Sequence, residues 1–543
     1  MLQKYCLLTG LLLLFHTVSY SQSSLFSRAD SLRGSLSKER SSYDISYYHL
    51  DISIDIDRKY IKGSNLFRFT ALADISKLQF DLFENLQIDK IIYQGKEIPF
   101  EREYHAVFIR FPNPIPKGKI DEFRVFYSGN PIIANNPPWD GGFTFSKDKQ
   151  GKPWVSVTCQ GLGASSWWPN KDHQADEVDS MLISISAPKG LMNVSNGRLR
   201  SATPIADNLT RFDWFVSYPI NNYNVSLNIA DYAHFSDTYQ GENGKLTLDY
   251  YVLRENQEKA KKQFSANVKP ILRVFENWFG PYPFYRDGYK LIETPYLGME
   301  HQTAIAYGNK YKNGYLGRDL SESGYGLKWD YIIVHESGHE WFGNNISSKD
   351  IADMWIHEGF TMYSEVLYVE SRDGKAAGTE YIKGIRKNIR NDGPIIGPYG
   401  VNAEGSGDMY YKGANLVHMI RMLVDNDQKW REILRGLNSS LGLKTTSTEE
   451  VLNFINKAAG KDFKKIFDQY LRFADLPLLE YKTKGSQTSY RWLANVPDFD
   501  MPIRVRNGKQ YQWIYPDSKW KTIKIGLFNP DQDNFYFKMK MLE

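Results

Sequence analysis

Cysteine is almost missing from this chain: two in 543 residues, Cys6 and Cys159. That excludes a disulfide framework and any cysteine-built zinc finger. A dominant charge is missing too, with 67 Lys and Arg against 63 Asp and Glu and a net charge of +4. No long basic stripe occurs, so neither nucleic acid nor an anionic membrane surface is an expected partner. No apolar run reaches the roughly 20 residues that a membrane-spanning helix needs. Internal repeats and low-complexity tracts are absent, which excludes a solenoid. What is plentiful is aromatic: 36 Tyr, 30 Phe and 13 Trp make 15% of the chain. With 42% hydrophobic and 24% charged residues, the composition is that of a folded globular protein. At this length two to four domains are expected.

The first residues carry a processing pattern. Lys4 precedes a short apolar run from Cys6 to Phe15, and small or polar residues follow at Ser19, Ser21 and Gln22. This reads as a secretory signal peptide over residues 1–21, with export to a periplasm or the exterior. Cys159 is then the single cysteine of the mature chain. Residues 22–42, rich in Ser and Arg, read as a loose arm.

Periodicity divides the rest. Leu50, Ile52, Ile54 and Ile56 alternate with His49, Asp51, Ser53 and Asp55, a strand period repeated at Leu78, Phe80 and Leu82. Short strands between Gly, Pro and Asn turns predict an N-terminal antiparallel β domain over residues 43–236. A linker is expected near Gln240 to Lys245. Ala260, Phe264, Val268, Ile271, Leu272 and Phe275 then mark one helical stripe, ended by Gly280-Pro281. Helices dominate to residue 477, and residues 478–543 return to short strands. The fold class is multidomain α+β: an N-terminal β domain, a mainly helical domain over 237–477 and a small C-terminal β domain.

The strongest chemical signal is His335-Glu336-Ser337-Gly338-His339. On a helix, positions four apart share a face, so both imidazoles can meet one ion. Glu336 sits about 100° round the helix, beside the ion yet free to act as base for a water the metal activates. Gly343-Asn344 is the expected stop of this helix. Glu358, on the next helical stretch, is placed to supply a third ligand. Two imidazoles and one carboxylate with an open position suit catalytic zinc, one per chain, better than magnesium or calcium. Glu365, seven residues on along the same helix face, is positioned to hydrogen-bond a ligand histidine.

The stretch from His335 to Glu365 resembles the M1 family of zinc aminopeptidases, gluzincins related to aminopeptidase N and leukotriene A4 hydrolase. The chain reads Trp355-Ile356-His357-Glu358-Gly359-Phe360 where that family has W-L-x-E-G-F. Leu297-Gly298-Met299-Glu300-His301 stands for its G-x-M-E-N, with Leu297 and His301 as departures. Tyr410-Tyr411-Lys412-Gly413 matches Tyr-x-Lys-Gly, and Cys159-Gln160 precedes Trp167-Trp168-Pro169. The resemblance spans roughly residues 41 to 480 and implies a thermolysin-like catalytic domain that removes N-terminal residues from peptides. It implies Glu336 as general base, Tyr410 as oxyanion donor, Tyr411 as packing and Glu300 as the carboxylate for the substrate ammonium. Gly298 and Met299 would run beside the substrate, and Gln160 would line the pocket for its first side chain. His301 reads as a polar loop residue in place of Asn; His173, His357 and His418 lack ligand spacing. A thermolysin-type endopeptidase would share the zinc ligands without needing Glu300. A non-catalytic zinc-holding protein would have no use for Glu336 and Tyr410. Because the strands after Leu478 cannot form a helical roof, the cleft is expected to be open to long peptides.

Overall fold

The computed structural model describes residues 26–206, 208–508 and 510–543. The expected signal peptide, residues 1–21, lies outside them. The expected arm is helical at Arg28–Gly34, where Ser27 and Asp30 form a capping box, and again at Lys38–Ser41. Arg40 fixes it: its guanidinium is buried, pairs with the buried Asp81 and donates to Arg33 O at 2.6 Å. The looseness expected from composition is cancelled by this partner 41 residues further on.

The N-terminal β domain consists of an eight-stranded, a four-stranded and a three-stranded sheet. Tyr43–Asp55 lies centrally in the largest, with Leu50, Ile52 and Ile54 buried as the alternation requires. Its pairing with Tyr60–Ala71 is antiparallel and its pairing with Ser180–Pro188 parallel; the other pairings of the sheet are antiparallel.

A mixed five-stranded sheet follows in the order Tyr232–Gly241, Gly244–Leu253, Tyr289–Glu293, Ile305–Tyr307, Gly298–Met299. The linker expected at 240–245 is instead its hairpin turn, with Gly241 opposite Gly244. The Gly and Asn composition of a linker also serves a two-residue turn. The boundary expected between residues 236 and 237 falls inside the first of these strands. Gly298–Met299 is the edge strand, paired on one side with Ala306 and Tyr307.

Helices Gln257–Phe279 and Tyr331–Gly338 pack beneath that sheet, Trp355–Asp373 packs on both and Tyr411–Val424 on Trp355–Asp373, around Phe275, Trp341, Trp355 and Phe360. The same core continues into the C-terminal strands through Trp492, Phe499 and Phe535. Those strands form a four-stranded sheet and a separate hairpin, Ile503–Asn507 with Gln510–Ile514. No helix among the described residues is long and apolar enough to cross a membrane.

Candidate active site

Tyr331–Gly338 starts at Asp330, whose carboxylate accepts from Ile333 N at 3.4 Å. The helix ends at His339, earlier than the stop expected at Gly343-Asn344, and His339 still closes a backbone bond to His335 O at 3.4 Å. The two imidazoles therefore stay on one face, with Nε2 atoms 3.3 Å apart. Gly338 sets the distance to the next helix: a Cβ there would lie 2.6 Å from Ser364 Oγ. That close approach brings Glu358 Oε2 to 3.3 Å from His339 Nε2 and 3.6 Å from His335 Nε2.

The tautomers follow from the partners. His335 Nδ1 faces Glu365 Oε1 at 2.7 Å, and Tyr381 donates to the other oxygen of Glu365 at 2.6 Å. His339 Nδ1 faces Phe342 O at 3.0 Å, with Thr361 Oγ1 3.2 Å away. A carboxylate and a carbonyl only accept, so both Nδ1 atoms donate. Both Nε2 lone pairs and a buried carboxylate oxygen then point into one space and repel one another. Tetrahedral zinc with bonds of about 2.0–2.1 Å spaces its ligands by about 3.3–3.4 Å; two of the three separations here are 3.3 Å and the third is 3.6 Å. The set fits a cation. Without one, burial opposes protonation of His335, yet the adjacent carboxylates of Glu358 and Glu365 drive it well above the usual imidazole range. His339 is likewise carried up to about 9 against its burial, by the charges of Glu358 and Glu300.

The other expected residues gather round this centre. Glu300, Glu336 and His339 bring one donor atom each within 4.8 Å of one another. Burial pushes Glu336 up to about 7; the charges of His335 and His339 pull it down, and those of Glu300 and Glu358 push it up. Glu300 is buried, and its Oε1 accepts from Gln160 Nε2 at 2.7 Å and Tyr223 OH at 3.0 Å. Burial raises Glu300, against the pull of His339. The Tyr410 ring stacks 6.1 Å from that of His335, and Tyr410 lines the same cleft as Glu358. Burial and the charge of Glu358 hold Tyr410 well above an ordinary phenol, so it keeps its proton.

Gly298, Met299, Gln160 and Tyr411 line the same cleft, which has a volume of about 850 Å³. None of its lining among the described residues comes from the C-terminal strands. His301 lies in a loop, as expected, but is fully buried there, and burial lowers it to about 3. His357 accepts from Ser348 N at 2.8 Å, His173 lies 3.1 Å from Gly34 O and His418 3.1 Å from Asn534, so these three are structural. Sequence reasoning missed Tyr223, Tyr381, Thr361 and Glu404, none of which sits in a recognisable motif.

A His-Glu-x-x-His helix beneath a mixed sheet, crossed by a glutamate-bearing second helix, is the architecture of the thermolysin-like metallopeptidases. Residues 264–470 match the peptidase family M1 domain. The chain is 22% identical over 431 residues to "Probable aminopeptidase 1" of Saccharolobus solfataricus, covering 76% of this chain and 52% of that protein. It is 21% identical to glutamyl aminopeptidase of Rattus norvegicus, covering 72% and 44%. It thus spans about half the length of these curated relatives. An M1 zinc metallopeptidase from Deinococcus radiodurans has the same fold, with a TM-score of 0.66 at 18% identity over 80% of this chain and 94% of that one. A variant of it bound to a Tyr-Ser-Ala substrate gives 0.65 at 18% identity, over 79% and 94%. Residues 264–470 therefore carry the peptidase family M1 domain.

Proposed function

We propose that the protein is a zinc aminopeptidase that removes single residues from the N-termini of peptides. The observation that carries this reading is the adjacency of two devices. His335, His339 and Glu358 converge on one cation position, and a second buried carboxylate, Glu300, is held beside it by Gln160 and Tyr223. Zinc bound by the three ligands would supply a Lewis acid that polarises water and the scissile carbonyl. Glu336 takes the proton from the attacking water and returns it to the leaving amine. The Tyr410 hydroxyl donates to the oxygen that gains charge in the transition state. Glu300 holds the substrate ammonium and so limits cleavage to the first peptide bond. The edge strand Gly298–Met299 offers its free side to the substrate backbone. Glu365 keeps His335 oriented, with its Nε2 turned to the metal.

Metal analysis of the purified protein tests the ligand set: one zinc per chain is expected, and His339→Ala should lose it. Chelation should also lower the melting temperature, since a ligand at about 1,000 times its Kd contributes about 4 kcal/mol to the folded state. Full zinc content in the His339→Ala variant would overturn the assignment.

Tyr410→Phe should lower kcat by about 10²- to 10³-fold with little change in KM. A greater loss from Tyr411→Phe would move the donor role to the neighbouring ring.

Gly298 yields a sharper test of position. A Cβ there would lie 2.6 Å from Glu336 Oε1 and 2.9 Å from Ile332 Cγ2. Gly298→Ala should swing the carboxylate away and cost about 10²-fold in kcat/KM. Overpacking should cost no more than about 1–3 kcal/mol of stability. Wild-type turnover in this variant would remove Glu336 from the reaction.

The export reading rests on Lys4, the apolar run Cys6 to Phe15 and the small residues after it. The N-terminus of the mature chain, read after expression in a secreting host, decides it: a start near residue 22 is expected.

A further inference from the structure

Four carboxylates line the cleft: Glu300, Glu336, Glu358 and Glu404. The proposed reaction uses the first three, and nothing so far uses Glu404. The loop that carries it is held on either side. Gly397 N donates to Ala352 O at 3.0 Å, Gly400 N to Asp350 Oδ2 at 3.0 Å and Ser406 N to Pro394 O at 2.8 Å. Its side chain is not: among the described residues the Glu404 carboxylate makes no hydrogen bond and no ion pair. It is exposed by area, through the cleft mouth, yet protein atoms crowd its other sides. That surround, with the charges of Glu358 and Glu300, pushes it up to about 7. The two arginines of the cleft are engaged elsewhere, Arg390 near Asp392 at 3.8 Å and Arg318 over the Tyr315 ring.

Its place relative to the substrate follows from Gly161. That residue succeeds Gln160, whose amide holds Glu300, and a Cβ on Gly161 would stand 3.4 Å from Glu404 Oε1. Glu404 therefore flanks the spot where the first residue of a bound peptide sits, with no side chain from Gly161 between them. The charge count, which rests on the aminopeptidase reading, points the same way. Zinc meets Glu358, the ammonium meets Glu300 and Glu336 exchanges a proton. Glu404 is left facing water without a counter-charge.

We propose that Glu404 is a specificity-determining residue that accepts the cationic side chain of an N-terminal arginine or lysine, making basic-ended peptides the preferred substrates. A guanidinium meets a carboxylate through charge-assisted hydrogen bonds, where a neutral side chain of the same shape has no charge to offer.

The test compares arginyl and citrullyl amides of one fluorogenic amine, since citrulline keeps the length and shape of arginine without its charge. The zinc-loaded wild type should cleave the arginyl substrate with a kcat/KM about tenfold or more above the citrullyl one, and Glu404→Gln should bring the ratio close to one. Equal rates in the wild type, or the same ratio in both proteins, would overturn the proposal. A second readout uses no turnover: calorimetry of free L-arginine and L-citrulline binding to the zinc-loaded protein. Tighter arginine binding, lost in Glu404→Gln, supports the assignment even if no amide is cleaved, a result that would sink the aminopeptidase reading alone. Equal affinities would sink the role of Glu404 whether or not the enzyme turns over.

Discussion

Glu336→Gln is expected to keep its full complement of zinc and lose about 10²- to 10⁴-fold in kcat. The substitution preserves the size and planarity of the side chain and removes only its ability to take a proton. The three converging donor atoms belong to His335, His339 and Glu358, so metal content should not change. The neighbours of Glu336 explain why the loss should be deep. The carboxylate is buried, near two imidazoles and two other carboxylates, and the proposed reaction gives those two carboxylates other tasks. Glu300 is occupied by Gln160 and Tyr223, and Glu358 by the cation position. Zinc analysis beside steady-state kinetics checks the separation. A variant that lost both metal and turnover would make Glu336 a ligand, and one that kept turnover would remove it from the chemistry.

How much of this site the sequence shows depends on how local each contact is. His335 and His339 are legible because a helix repeats every 3.6 residues, so spacing alone places them together. Glu365 is legible for the same reason, as a position on the same helix face as Glu358. Tyr223 and Glu300 meet across 77 residues and Gln160 and Glu300 across 140, through the packing of the N-terminal β domain on the five-stranded sheet. No periodicity carries such a contact. Resemblance supplied Gln160 because a motif marks it; Tyr223 stands in none and stayed hidden. Glu404 was hidden for a different reason, since a lone loop glutamate in a Gly-rich stretch looks like a solvated one until its walls are seen.

The fold divides along the same line. The strand alternation from Leu50 to Ile54 and the stripe from Ala260 to Phe275 are local and read directly. The arm was misread because composition reports the freedom of an isolated segment, whereas Arg40 is held by Asp81 in a partnership that only tertiary structure creates. The hairpin turn at Gly241 to Gly244 was misread as a linker because both need residues that bend easily. Gly338 is the instructive intermediate case. Its place inside the metal motif was plain, but its task, allowing Ser364 and hence Glu358 to approach, needs the second helix in view.

Peptides with an acetylated N-terminus should be nearly inert beside the same peptides with a free amine. Glu300 is buried, and Gln160 and Tyr223 both donate to its Oε1, while among the described residues no side chain donates to Oε2. A substrate ammonium completes that carboxylate. Acetylation removes the charge, adds bulk where Gln160 and Tyr223 close the pocket, and leaves a buried carboxylate without its partner. Breaking a buried pair from one side costs about 3–5 kcal/mol, or roughly 10²- to 10⁴-fold in kcat/KM. The penalty should shrink in Glu300→Gln, because the neutral amide has no charge to be left unpaired; free peptides should slow in that variant, and the gap to their acetylated forms should narrow. The measurement is kcat/KM for one peptide sequence, free and acetylated, on both proteins. Equal cleavage of the two forms by the wild type would reject the aminopeptidase register and leave a thermolysin-type endopeptidase, in which the same zinc ligands and the same base act without reading the end of the chain.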